Sequence, residues 1–279
     1  MTGTLYLVGT PIGNLSDLSP RAKNILSSVD FIAAEDTRVS LKLLNHFDIR
    51  KPLISYHEHN RAQSGEKILA RLLAGESCAL VTDAGMPAIS DPGEDLVRLC
   101  AEHDVPVSPI PGPSACIAAL AASAMPTQRF CFEGFLSTSK KSRNEHLAEL
   151  KNEKRTMIFH EAPHKLVRTL ADMLEAWGDR DIAICRELTK LHEQFFRTTL
   201  SKALDHYSQN PPKGEFVLVI RGAEEQAAPE MTREDALRLV QKLRGDGMKL
   251  KDACREAAQA TGIAKNELYQ AALDAESGD

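Results

Sequence analysis

Arg186, Glu187, Lys190, His192 and Glu193 crowd into a few residues directly after the apolar run Ile182-Ala183-Ile184-Cys185. A carboxylate beside cations at a strand end can take a proton or steady a developing oxyanion; solvated ion pairs are the bland alternative. A second such group is Glu35-Asp36-Thr37-Arg38, which closes the run Phe31-Ile32-Ala33-Ala34. A third follows Cys78-Ala79-Leu80-Val81: Asp83-Ala84-Gly85, where the chain must turn sharply. There Gly85 allows a backbone angle other residues resist and lets a ligand approach closely. His160-Glu161-Ala162-Pro163-His164 spells the zinc-protease pattern, but that chemistry needs one continuous helix, and Pro163 cannot sit inside one. His57 and His59 lack an evident third ligand. No metal is expected.

The elements that position these groups are short. Strands are expected at Leu5–Val8, 31–34, Pro52–Tyr56, Cys78–Val81, Phe130–Phe135, Thr156–Phe159, Asp181–Cys185 and Phe216–Ile220, with amphipathic helices between them. Asp91 is placed to cap a helix, with Pro92 in its first turn and Glu94 completing a capping box. Pro111-Gly112-Pro113-Ser114 leads into a helix of small residues whose N-terminus points N–H groups at whatever lies before Ser114. Strand, glycine loop and helix in this order make an α/β fold that binds ligands at strand carboxyl ends. The first loop reads G-T-P-I-G rather than G-x-G-x-x-G, and Pro11 removes an N–H that a pyrophosphate would use, which argues against a dinucleotide site.

Three segments are expected: an α/β domain over 1–120, a second over 121–222, and a small helical appendage over 231–279 after an Ala- and Pro-containing linker. Helix-turn-helix spacing around Gly262 has its basic residues matched by acids, which favours a packing or RNA-contacting appendage over a DNA reader. A net charge of −5 argues against a DNA-coating protein. Six cysteines without a C-x-x-C pair read as reduced core residues of a cytoplasmic protein, and no apolar run is long enough for a membrane span. The first strand begins too early to leave room for a signal peptide.

Seven motifs then align in order: V-G-T-P-I-G-N-L-S-D-L (8–18), A-A-E-D-T-R (33–38), L-V-T-D-A-G-M-P-A-I-S-D-P-G (80–93), P-G-P-S-A (111–115), F-E-G-F-L (132–136), R-E-L-T-K-L-H-E (186–193) and K-G-E-F-V-L-V-I (213–220). Together they resemble the small-subunit ribosomal RNA methyltransferase I group of the tetrapyrrole methylase superfamily over nearly the full length. The resemblance implies two α/β domains with S-adenosylmethionine folded in the cleft between them. It further implies a homodimer that methylates a cytidine ribose 2′-hydroxyl in the decoding region of 16S ribosomal RNA within the small subunit. It carries cofactor contacts to Pro11, to Gly85, Met86 and Ile89, to Ser114 and Ala115, and to Glu161, Leu188 and Glu215. Relatives have a Gly-Gly-Asp-Pro-like central loop; here it is Ala84-Gly85-Met86-Pro87, so the acid at that position is missing, and Asp83 is expected to substitute for it only in part.

Methyl transfer to a hydroxyl needs alignment and a proton acceptor. Glu187 is the expected base, with Lys190 and Arg186 as electrostatic support, and Glu35, Asp36 and Arg38 could supply the same roles. Arg38, Lys140, Lys141 and Arg143 are the expected RNA-phosphate contacts, the last three from a polar loop. A tetrapyrrole-methylating enzyme and a non-catalytic ribosome-binding module are the competing classes.

Overall fold

The computed structural model describes residues 2–224 and 232–276. Two compact units divide the chain, residues 1–223 and 224–279. The first unit contains two five-stranded sheets.

β1 (Leu5–Val8), β2 (Phe31–Ala34), β3 (Leu53–Ser55), β4 (Cys78–Val81) and β5 (Val107–Ile110) form the first sheet in the order β3-β2-β4-β1-β5, with every pair parallel. Runs such as Phe31-Ile32-Ala33-Ala34 are apolar throughout because both faces are covered. Phe31, Ala33 and Leu80 enter one core, and Ile32, Ala34 and Val81 enter the other. β5 carries Pro109, which an edge strand tolerates. Parallel pairing sends all five carboxyl ends, with their loops, to one side.

β6 (Phe130–Phe135), β7 (Thr156–Glu161), β8 (Asp181–Arg186), β9 (Gln194–Thr199) and β10 (Phe216–Ile220) form the second sheet in the order β6-β7-β10-β8-β9, parallel only between β6 and β7. One face packs Met157, Phe159, Ile184 and Leu218 under the helices. The other face, Ile158, Ala183, Cys185 and Val219, receives Ile12 and the small-residue helix Ala115–Ala122 through Ala119 and Leu120. Alanines on that helix let it lie close to the strands.

Two local expectations change, and one strand is new. The helix after the central loop starts at Glu94 with Gly93 at its N-cap, at φ +146°, so Asp91 caps nothing. Lys140, Lys141 and Arg143 belong to the helix Lys140–Glu149 rather than to a loop. β9 was not expected at all: its six residues, Gln-Phe-Phe-Arg-Thr-Thr, directly follow the charged cluster.

In the second unit, Arg233–Gly245, Leu250–Thr261 and Lys265–Glu276 are helices around Val240, Cys254, Ala257 and Leu268. Thr232 and Asp235 close a reciprocal capping box. Most of the expected linker, residues 225–230, lies outside the described residues.

Candidate functional site

Loops after β1, β2, β4 and β5 face the carboxyl ends of β6, β7 and β8 and the amino end of the antiparallel β10 across a cavity of about 410 Å³. Its first wall is Ile12, Glu35, Asp83–Met86, Ile89–Asp91 and Ser114–Cys116. Its second is Phe132, Phe135, His160–Pro163, Cys185, Leu188 and Glu215–Val217. The first wall is stapled by backbone: Thr10 N–H donates to Gly85 O at 2.9 Å, and Gly85 N–H donates to Thr10 O at 3.2 Å. Gly85 holds φ +89°, which a side chain would strain. Ala88 and Ser90, also at positive φ, set the course of the loop that presents Ile89 and Asp91.

The cavity brings together Asp83, Gly85, Met86, Ile89, Ser114, Ala115, Glu161, Leu188 and Glu215, nine of the expected cofactor contacts. Pro11 is not on the wall; its neighbour Ile12 is. Glu161 is buried, with one oxygen accepting from Ala162 N–H at 2.8 Å and the other from Thr169 Oγ1 at 2.5 Å. Its carboxylate braces the strand end. Ser114 is the N-cap of Ala115–Ala122 and makes no side-chain cap bond; its hydroxyl lies 3.2 Å from Cys116 Sγ, and both residues line the cavity.

Arg186, Glu187 and Lys190 lie off the wall. Arg186 is the end of β8, where alternation turns it away from its cavity-lining neighbour Cys185. Its guanidinium donates to Lys213 O at 2.6 Å and to Gln194 Oε1 at 3.0 Å. Glu187 accepts from Lys190 Nζ at 2.9 Å and from Glu215 N–H at 2.9 Å. The Lys190 bond is the main reason its carboxyl is held below the usual range. Lys190 also bonds Glu215 Oε2 at 3.0 Å. Glu187 and Lys190 are therefore a clamp behind the cavity residue Glu215, and Arg186 ties the end of β8 to Lys213 and Gln194.

The first wall carries three carboxylates, Glu35, Asp83 and Asp91. Asp83 N–H donates to Glu35 Oε2 at 3.4 Å, and Asp36 N–H donates to Asp83 Oδ1 at 3.2 Å, which locks the ends of β2 and β4. Burial raises the Glu35 and Asp83 carboxyls. Asp91 is pushed up to about 7, first by burial and then by Glu35 and Asp83. No cation among the described residues forms an ion pair with Asp91. Asp36 is held down at about 2 by the hydrogen-bonded Arg38, its partner at 2.6 Å.

His160 sits on β7 and His164 on a separate 3-10 turn, Pro163–Lys165, so the helix a zinc-protease pair requires does not form. Burial pushes the His160 imidazole down, favouring the neutral ring. Its Nε2 is buried, and no group among the described residues reaches it.

Of the expected RNA contacts, Arg38, Lys140 and Lys141 are exposed. Arg143 is 2% exposed, donating to Asp172 Oδ2 at 2.6 Å and to the carbonyls of Ser137 and Thr138. A guanidinium sealed this way is a core strut and cannot meet a phosphate, which corrects that expectation. Phe132, Phe135, His160 and Asp91 line the site without having been expected to. The available signals were the glycine inside F-E-G-F, which marks a bulge, and a histidine at a strand's carboxyl end.

Residues 4–204 match the family of Tetrapyrrole (Corrin/Porphyrin) Methylases, and residues 230–276 match the RsmI C-terminal HTH domain. A Ribosomal RNA small subunit methyltransferase I from Synechocystis sp. is 49% identical over 276 residues, covering 99% of both chains. The protein of that name from Halalkalibacterium halodurans is 47% identical, covering 96% of this chain and 93% of its own. In three dimensions, uroporphyrin-III C-methyl transferase from Thermus thermophilus, solved with S-adenyl homocysteine, superposes with a TM-score of 0.56. The superposition covers 78% of this chain and 97% of the other at 16% identity, so it speaks to the fold.

Proposed function

Since the chain belongs to the tetrapyrrole methylases, and among them to the ribosomal RNA small subunit methyltransferase I group, we propose that it methylates a cytidine ribose 2′-hydroxyl in the decoding region of 16S ribosomal RNA. S-adenosylmethionine is the donor, the small ribosomal subunit is the substrate, and the enzyme works as a homodimer in the cytoplasm. The free cysteines suit that reducing compartment.

One observation supports the chemistry most: a single cavity combines apolar and small residues from both walls with three acids, Glu35, Asp83 and Asp91, on the first. S-adenosylmethionine fits this donor set. Ile12, Ala115, Leu188 and Val217 are apolar enough for an adenosine, the Gly85 backbone permits close approach, and Glu35, Asp83 and Asp91 favour a sulfonium charge. When bound, the cofactor supplies a methyl that is already activated.

The chain's own residues then orient and deprotonate. The Thr10–Gly85 staple fixes the first wall, and alignment against a fixed wall lowers the barrier by several kcal/mol; the Lys190–Glu215 clamp adds a modest brace to the second. Asp91 is the residue that would take the hydroxyl proton, leaving the acceptor oxygen as nucleophile toward the methyl that the bound cofactor would supply. A base poised near neutrality suits that step. Glu187 does not take it, because both its hydrogen-bonding partners already hold it.

Transfer of labelled methyl to small subunits from cells lacking this gene tests the reading. Label mapped to a ribose oxygen is the expected result. Label appearing instead on a porphyrin precursor would keep the fold and overturn the substrate.

A further inference from the structure

β6 contains an irregularity that gathers aromatic rings. In a regular strand Phe132 and Phe135, three residues apart, would point to opposite faces. Pairing with β7 instead runs Phe132 to Ile158, then Gly134 to Phe159 and Phe135 to His160, so Glu133 is the extra residue of a bulge. Gly134 takes φ +65° there. Glu133 turns away to bond His146 at 3.0 Å, and both phenylalanines line the cavity. They flank the His160 ring edge-on, with centroids 5.2 and 5.3 Å away.

Phe135 is 54% exposed and Ile89, on the opposite loop, is 52% exposed, so the aromatic group runs from solvent inward. A Cβ on Gly134 would lie 3.4 Å from Ser90 Oγ, which places this strand beside the loop carrying Asp91. A buried ring nitrogen without a partner costs stability unless a ligand uses it.

We propose that Phe135, His160 and Phe132 form the acceptor subsite, which takes the unstacked pyrimidine base of the target nucleotide with its ring on Phe135 and a base-edge hydrogen bond at His160 Nε2. The assignment rests on the RNA reading above. A base presented by folded RNA must enter from the exposed end, whereas a free cofactor can lie deeper, against Gly85, Ser114 and Leu188. Aromatic faces are how single nucleotides are gripped. Asp91, across the mouth, is then beside the sugar of the same nucleotide.

The test pairs two measurements on F135A, F135Y and H160F: S-adenosylhomocysteine binding by calorimetry, and methyl transfer to unmethylated small subunits as kcat and KM. F135A and H160F are expected to bind S-adenosylhomocysteine within about twofold of the parent protein, which also reports folding. F135A should raise KM for the subunits about tenfold or more, with F135Y restoring it. Parallel loss of S-adenosylhomocysteine affinity would assign the aromatic face to the cofactor and overturn the proposal, as would unchanged KM in both F135A and H160F. Failure of the parent protein itself to label the subunits would instead bring down the RNA reading, and the subsite with it.

Discussion

Lys190 holds Glu215 against the cavity: its Nζ lies 3.0 Å from Glu215 Oε2 and 2.9 Å from the Glu187 carboxylate, which itself accepts from Glu215 N–H. Two contacts thus hold one wall residue from behind, and the Lys190–Glu187 bond ties them together. Lys190 is therefore a positioning residue. Glu215 is largely exposed, so its share of the clamp is modest. K190M should weaken S-adenosylhomocysteine binding about threefold to fivefold and leave kcat nearly unchanged. A loss of kcat of about a hundredfold at unchanged affinity would return Lys190 to the chemistry.

Asp91 sets a pH dependence with a definite sign. Its carboxyl titrates at about 7 beside Glu35 and Asp83, and a base works only when ionised. Below that pH, kcat/KM should fall about tenfold per unit, and D91N should lose about a hundredfold at pH 8 together with that limb of the profile. Stability runs the other way. A carboxyl raised in the folded protein is stabilising when protonated, and that contribution is lost as pH rises from about 4 through about 7. Thermal melts should therefore show D91N gaining more over the parent protein at pH 8 than at pH 5. Equal melting differences at both values would show that Asp91 is not raised.

Strands buried on both faces were legible because a short apolar run bounded by turn residues has few alternatives, as with Phe31–Ala34 and Phe216–Ile220. β9 was not, since Gln194–Thr199 mixes polar and aromatic residues and owes its place to pairing with β8. The site was half legible. Acids at the ends of β2 and β4 stand out locally, and so does Gly85. Asp91 was misread because Asp-Pro-Gly-Glu satisfies the capping rule, whereas Gly93 takes the N-cap position in the folded chain. Phe132 and Phe135 were hidden by strict alternation, which the bulge breaks. Arg143 was misread because its burial depends on Asp172, twenty-nine residues away.

Arg143 and Asp172 make a stability prediction separable from RNA. Breaking a buried pair by removing one partner leaves the other charge unpaired, at a cost of about 3 kcal/mol. R143A should lower the midpoint of thermal unfolding by several degrees, and R143A/D172A should lose less than the sum of the single variants. RNA affinity of the folded R143A protein should be unchanged. Additive losses would show that the two side chains do not act as a pair.

Lys140 and Lys141 are the complementary case on the same helix. Both are exposed, and the Lys141–Glu145 pair at 3.9 Å is solvent-screened, so neither supports the fold appreciably. If they meet phosphates, each releases about one counterion on binding. K140A/K141A should then reduce the slope of log affinity against log salt by up to about two, with no shift in thermal midpoint. Affinity measured on small subunits between low and physiological salt gives that slope directly. An unchanged slope would take this helix end off the RNA path and leave Arg38, exposed beside the acidic wall, as the remaining phosphate contact among the expected ones.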